Sequence, residues 1–460
     1  MVFSSFTFLL LFFPCVILLY WKMPEKGRLP FLLLSSLVFY GWGNPVWILL
    51  LLYCMVISWI GTGWISRTRY RRLVMTLIIL LDLLPLLWFK YAGFLRDTLQ
   101  TLTGIRMSFK TPMLPAGISF FTFQAISYVI DVYRGEAKHT SGIVPFGVYL
   151  SLFPQLVAGP IVRYTELEEQ LRVCPAPEAG EMREGLRRFV LGLGKKVLLA
   201  DAMGRLWGQM NSDFSAAGLA GAWVGLLGFS FQIFFDFSAY SDMAIGIGHM
   251  LGFTLPENFN SPYRARSLTE FWRRWHMSLT GWFRAYVYIP LGGSRKGALR
   301  RNLNILIVWT LTGLWHGAGW HFVLWGIYFA ILLMLEKRFI LSNQRIERFL
   351  PGPLRQALTF FLVLFGWGIF SGFGTELGRA LIGGYGWGDT RVLATCAAFA
   401  PMLLFCAMLS FLKVPSFRRI PDRLHRCWTR FRPVCVALLM LLCLAALASQ
   451  GYTPFVYFQF

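Results

Sequence analysis

Charge is scarce in this chain: Asp, Glu, Lys and Arg make up 14% of its 460 residues, against roughly 25% in an ordinary soluble domain. With 56% hydrophobic and 17% aromatic residues, the shortfall excludes a conventional water-soluble globular protein. Acids are scarcer still, 22 against 44 Lys and Arg, for a formal net charge of +22. In a soluble chain that imbalance would suggest nucleic-acid binding. Here the basic residues collect between apolar stretches, as the positive-inside rule requires, and nucleic acid is excluded as a partner. The eight cysteines lie mostly in or beside apolar stretches, and none forms a close CxxC pair with histidine support. We expect neither a disulfide framework nor a metal site. There is no P-loop or dinucleotide fingerprint. Residues 1–20 lack a basic leader and a small-residue cleavage site, which predicts a retained first helix. No stretch reads as a separate soluble domain.

What the chain does have is a succession of apolar stretches, and a membrane-crossing helix needs about 20 such residues. Hydropathy, with breaks at Gly, Pro and charge clusters, places them at 3–21, 31–41, 46–64, 73–92, 114–131, 144–158, 187–203, 219–236 and 238–253. After a long interruption they resume at 303–314, 319–335, 356–372, 391–411 and 433–449. The expected fold is all-α and polytopic, with about 11–13 transmembrane or re-entrant helices. Arg67, Arg69, Arg71 and Arg72, and the basic run 413–432, are the strongest cytoplasmic markers. Counting from them puts both termini, and the tail 451–460, outside.

Segment 254–302 is the anomaly. It holds nine Lys and Arg residues (Arg264, Arg266, Arg273, Arg274, Arg284, Arg295, Lys296, Arg300 and Arg301) against Glu257 and Glu270, interleaved with aromatics such as Trp272, Trp275, Trp282 and Phe283. This blend is too apolar for a solvated loop and too charged to span lipid, so amphipathic or re-entrant helices facing the cytoplasm are expected. Ser267 followed by Glu270 is a capping-box pattern. A 3.6-residue period then places Trp272, Trp275, His276 and Leu279 on one helix face.

Only six histidines occur, and two are placed for chemistry. His316 sits where an apolar run meets the break Gly317-Ala-Gly319. A histidine at membrane depth beside a broken helix points to a cavity. Its near-neutral pKa suits proton transfer, and His276 is the second candidate. Asp236 and Asp242 are acids in apolar surroundings; they need partners, for which histidines or arginines of the central segment are candidates. The residues alone leave a catalytic and a transport cavity both open. A transporter should show two corresponding halves, and the His276 to His316 arrangement has no repeat in the N-terminal half.

At these residues the chain resembles the membrane-bound O-acyltransferase family, in its bacterial alginate O-acetyltransferase branch. The matching stretches are Met1-Val-Phe-Ser-Ser-Phe-Thr-Phe-Leu9, Pro115-Ala-Gly-Ile-Ser-Phe-Phe-Thr-Phe-Gln124, Phe153-Pro-Gln-Leu-Val-Ala-Gly-Pro-Ile-Val-Arg163 and Phe235-Asp-Phe-Ser-Ala-Tyr-Ser-Asp242. They continue through Pro256-Glu-Asn-Phe-Asn-Ser-Pro-Tyr263 and Phe271-Trp-Arg-Arg-Trp-His-Met-Ser278 to Leu314-Trp-His-Gly317. The resemblance implies one membrane-embedded domain over 1–460, with helices around a central tunnel. His316 would be the principal catalytic histidine and His276 its partner. Acetyl-CoA would be the donor substrate rather than a resident cofactor, its phosphates met by the basic segment, with Arg273, Arg274, Trp275, Arg284 and Asn302 as candidate contacts. The tail Pro454-Phe-Val-Tyr-Phe-Gln-Phe460 resembles a motif in which a tyrosine carries the acyl group, here Tyr457. The implied reaction is acetyl transfer across a bacterial inner membrane to alginate or a similar exopolysaccharide, completed by a periplasmic SGNH-hydrolase-like acetyltransferase partner. Peptidoglycan or cellulose O-acetylation and D-alanyl transfer to teichoic acid are the alternatives.

Overall fold

The computed structural model describes residues 1–340, 350–412, 422–451 and 453–456, and no strand occurs among them. Among the described residues, six helices are long and apolar enough to cross a membrane: Val46–Ile65, Arg71–Thr103, Phe214–Met250, Gly352–Phe370, Thr390–Phe411 and Arg430–Ser449. Thr390–Phe411 and Arg430–Ser449 leave Leu404, Phe405, Leu438 and Leu441 about half exposed or more. Lipid, rather than protein, is the natural solvent for those faces. Several boundaries differ from the hydropathy reading. The stretches 219–236 and 238–253 merge into one helix that ends at Met250, separated from the short helical start at Phe214 by Gly218, whose φ of 58° and ψ of −161° are not helical. The apolar stretch 31–41 belongs to a longer helix, Glu25–Gly41, because Glu25, Lys26 and Arg28 lower hydropathy without opposing helix formation.

The chain divides into two compact units. The first comprises 1–189, 240–257 and 457–460, the last four lying outside the described residues. Its core is a phenylalanine cluster: Phe8 stacks on Phe13 at 5.5 Å, and Phe12 meets Phe153 edge-on at 5.4 Å. Asp242, which needed a partner, has Arg188 at 2.9 Å, and the same guanidinium reaches Glu257 at 2.6 Å.

The second unit, 190–239 and 258–456, is organised by a helical hairpin. Gly297–His316 runs to the Gly317–Gly319 break and Trp320–Leu335 returns. The two backbones touch at glycines. A Cβ on Gly313 would lie 2.2 Å from the Phe322 carbonyl oxygen, and one on Gly326 would lie 2.2 Å from that of Trp309. Trp320–Leu335 continues directly into a π-helical stretch, Glu336–Ile340, which carries Glu336 and Lys337 at its start. An aromatic core seals the hairpin, with Trp272 packing edge-on against Trp309 (4.6 Å), Phe329 (4.9 Å) and Trp325 (5.6 Å).

Candidate active site

Within the second unit, the central segment folds as short helices, Leu268–Arg274 and Met277–Phe283. The first is capped twice. Ser267 Oγ accepts the Glu270 N–H at 3.0 Å, half of the expected box; the Glu270 carboxylate accepts instead from the Arg266 N–H at 2.8 Å. Buried Glu336 supplies the rest, accepting from the N–H groups of Leu268 (2.6 Å) and Thr269 (2.9 Å). A carboxylate satisfies helix-start amides and favours their positive dipole end.

The single amphipathic helix read from the period does not exist, because the chain breaks at Trp275 and His276. His276 has φ 42° and ψ 55°, left-handed backbone on a non-glycine residue, a conformation costing about 1–3 kcal/mol. Trp272, Trp275, His276 and Leu279 nonetheless line one cavity. The break leaves His276 buried, 2% exposed, on that wall.

Asn258 holds the strained residue. Its Oδ1 lies 3.1 Å from His276 Nδ1 and accepts from both the N–H (3.2 Å) and the hydroxyl (2.9 Å) of Ser278. Its carbonyl accepts the Met277 N–H at 3.0 Å. A backbone N–H only donates, so the side-chain atom facing Ser278 is the oxygen, and His276 must donate to it from Nδ1. The neutral tautomer therefore carries its lone pair on Nε2. Burial pushes the imidazole down to about 3, so the ring is neutral at physiological pH.

His316 closes the Gly297–His316 helix and is 6% exposed. It meets Trp325 at 5.1 Å and Phe370 at 5.3 Å, both edge-on. Trp315 touches both histidines, 5.7 Å from His276 and 5.0 Å from His316 between ring centroids. The break after His316 requires glycine: a Cβ on Gly317 would fall 1.9 Å from the Phe322 ring.

His276 and His316 both line a cavity of about 170 Å³. Arg284 and Lys337 add positive charge to its wall, and Thr280 and Thr312 add hydroxyls. The Lys337 ammonium sits below its usual range, from burial first and then from the nearby charges of Arg301 and Arg273. Of the donor contacts expected from the sequence, Trp275 and Arg284 line the cavity. Arg273 is exposed, within electrostatic reach of Lys337. Arg274 pairs with Glu270 at 2.7 Å and donates to the Asn260 carbonyl at 3.2 Å. Asn302 is half-buried and not among the cavity residues. Tyr457 lies outside the described residues. Asn258, Glu336 and Lys337 went unassigned in the sequence: Asn258 was visible only as a polar residue in the Pro256–Tyr263 motif, and the other two merely follow an apolar helix. Among the described residues no group of three His, Cys, Asp or Glu side chains is placed to hold a metal.

A neutral imidazole held in one tautomer, a second buried histidine and cationic walls around a small cavity suit proton-coupled transfer from an anionic donor. Comparison with known proteins supplies the family. The profile of the membrane-bound O-acyltransferase family matches residues 73–377. The chain is 36% identical to a probable alginate O-acetylase AlgI of Pseudomonas putida, with both chains covered in full. It is 40% identical to that of Azotobacter vinelandii over 80% of this chain and 75% of the relative. A peptidoglycan O-acetyltransferase of Helicobacter pylori is 31% identical over 80% and 77%. Both histidines fall within the matched region, and the chain thus belongs to the membrane-bound O-acyltransferase family as a multi-pass membrane O-acyltransferase.

Proposed function

We propose that the protein transfers acetyl groups from cytoplasmic acetyl-CoA across the bacterial inner membrane, for O-acetylation of an extracytoplasmic polysaccharide, alginate or a similar exopolysaccharide. The supporting observation is the convergence of His276, His316, Arg284 and Lys337 on one cavity. At about 170 Å³ it is smaller than the roughly 300–1,000 Å³ of whole-ligand pockets. It suits the thioester end of the donor, and the positive charge of Arg284 and Lys337 in its wall, with Arg273 nearby, attracts the anionic coenzyme toward it. The charge pattern supports a donor side on the cytoplasm and both termini in the periplasm.

In this reading an acceptor hydroxyl attacks the thioester carbonyl while His316 takes its proton. The C–O bond forms, the C–S bond breaks, and the coenzyme leaves as a thiol carrying that proton. His276, with its lone pair on Nε2, orients the acceptor and shares the proton. Tyr457 is the first acceptor; its acetyl ester is passed to polymer hydroxyls by a periplasmic SGNH-hydrolase-like partner. The names of the Pseudomonas and Azotobacter relatives favour alginate-type polymers over peptidoglycan. The test is His316→Ala in reconstituted membranes supplied with radiolabelled acetyl-CoA. We expect a folded, inserted protein with transfer lost, and turnover at the wild-type rate would refute the assignment.

A further inference from the structure

The second unit contains a buried charge cluster that the acyl-transfer chemistry leaves unused. Lys196, 1% exposed, lies on the helical turn Lys195–Ala200. Its ammonium pairs with Asp201 and with Asp236, each at 2.8 Å. The partner of Asp236 is thus this lysine, and not a histidine or arginine of the central segment. Buried ion pairs are weak sources of stability, because desolvation offsets most of the attraction. A chain that needed only to fill this space would do as well with apolar side chains.

The cluster has another occupant, the C-terminal segment. The helix Asp422–Gln450 ends at Gly451, whose φ of 72° permits the chain to turn. The Val456 N–H then donates to Asp236 Oδ2 at 2.7 Å. Lys196 Nζ donates to the Pro454 carbonyl at 3.4 Å and stands 4.6 Å from the centre of the Phe455 ring. Phe455 is 1% exposed and Val456 6%. Every charge thus has a role toward the tail: Asp236 accepts its amide, Lys196 meets a carbonyl and an aromatic face, and Asp201 helps balance the ammonium. Two carboxylates face one ammonium, Arg205 acts electrostatically on Asp201 as well, and the Val456 N–H offsets part of the charge on Asp236.

We infer that Lys196, Asp201 and Asp236 form a binding site for the protein's own apolar C-terminal peptide, clamping 454–456 as a fixed strap. The residue that follows the strap is Tyr457. These three are positioning residues: they hold 454–456, next in sequence to the tyrosine, and none of them lines the cavity of the two histidines. The anchoring stands on the contacts alone, and only its catalytic use rests on the relay reading of Tyr457.

Hydrogen exchange on the full-length protein in lipid nanodiscs, read by mass spectrometry on the peptide covering 451–460, tests the clamp. In the wild type, exchange at 455 and 456 should be slow. Asp236→Val removes the amide acceptor, and Phe455→Ala removes the buried ring while sparing the ions, so one variant remains informative if the other fails to fold. Each should raise exchange at the tail about tenfold or more, leaving Trp320–Leu335 as protected as before. A wild-type tail that exchanges like an exposed peptide, or protection unchanged in both variants, would overturn the clamp. Phe455→Ala should also lower kcat for polymer acetylation with the donor KM unchanged; a freed tail with unaltered kcat would overturn the positioning role. If Tyr457→Phe keeps full activity, the relay reading fails, while the exchange data still decide the clamp.

Discussion

Replacing Asn258 isolates what holds His276 in one tautomer and in its left-handed turn. Asn258 is fully buried, and its Oδ1 takes three contacts, from His276 Nδ1 and from the N–H and hydroxyl of Ser278. Each such bond contributes about 0.5–1.5 kcal/mol net, roughly 3 kcal/mol together. That is similar to the roughly 1–3 kcal/mol stored in the left-handed His276 backbone. Asn258→Ala therefore releases both the tautomer and the strained turn, and the loss of about 3 kcal/mol corresponds to roughly 150-fold in kcat at about 1.36 kcal/mol per tenfold. Asn258→Asp keeps an acceptor for Nδ1 and for Ser278, so it should retain most of the activity. Its added negative charge should raise the His276 pKa and shift the acidic limb of the pH–rate profile upward. The assay is acetyl transfer from labelled acetyl-CoA in proteoliposomes, with folding checked by size-exclusion chromatography. Wild-type kcat in a folded Asn258→Ala protein, or an Asp variant as impaired as the Ala variant, would refute the argument.

Burial of His276 carries a pH signature for stability. Burial pushes its pKa down to about 3 from the ordinary histidine value of about 6.5, so between those values the unfolded chain binds the proton that the folded chain refuses. The contribution is intact above about pH 6.5 and shrinks as pH falls below it. Thermal melts from about pH 7.5 to about 4.5 should show a steeper loss for wild type than for His276→Gln, and parallel curves would argue against a neutral buried ring. The hairpin offers a packing test. Gly326→Ala drives a methyl group to 2.2 Å from the Trp309 carbonyl, whereas a Cβ at Gly378 meets nothing within 4 Å. The first substitution should destabilise by about 1–3 kcal/mol or more, lowering the melting temperature, and Gly378→Ala should match wild type.

The sequence by itself determined the solvent and pointed to the two histidines that the structure places on one cavity. Long apolar runs can be satisfied only in lipid, and a histidine beside Gly317 at the end of such a run marks His316 from local pattern alone. The motif resemblance extended this to the family, since Trp275-His276 and Trp315-His316 carry it in fixed order. What tertiary structure decided was which residues meet. Periodicity assumed one helix through His276, but the break that aims this ring is set by Asn258, 18 residues earlier in the chain, and no local pattern reports such a contact. The partner of Asp236 was equally hidden, because Lys196 lies 40 residues away and the third participant, Val456, is 220 residues away. Lys337 and Glu336 follow an apolar helix and read as flanking charges; only the folded hairpin turns one to the cavity and the other onto a helix start. Burial and periodicity are local properties that a sequence displays, whereas pairing across a fold depends on how the chain closes on itself.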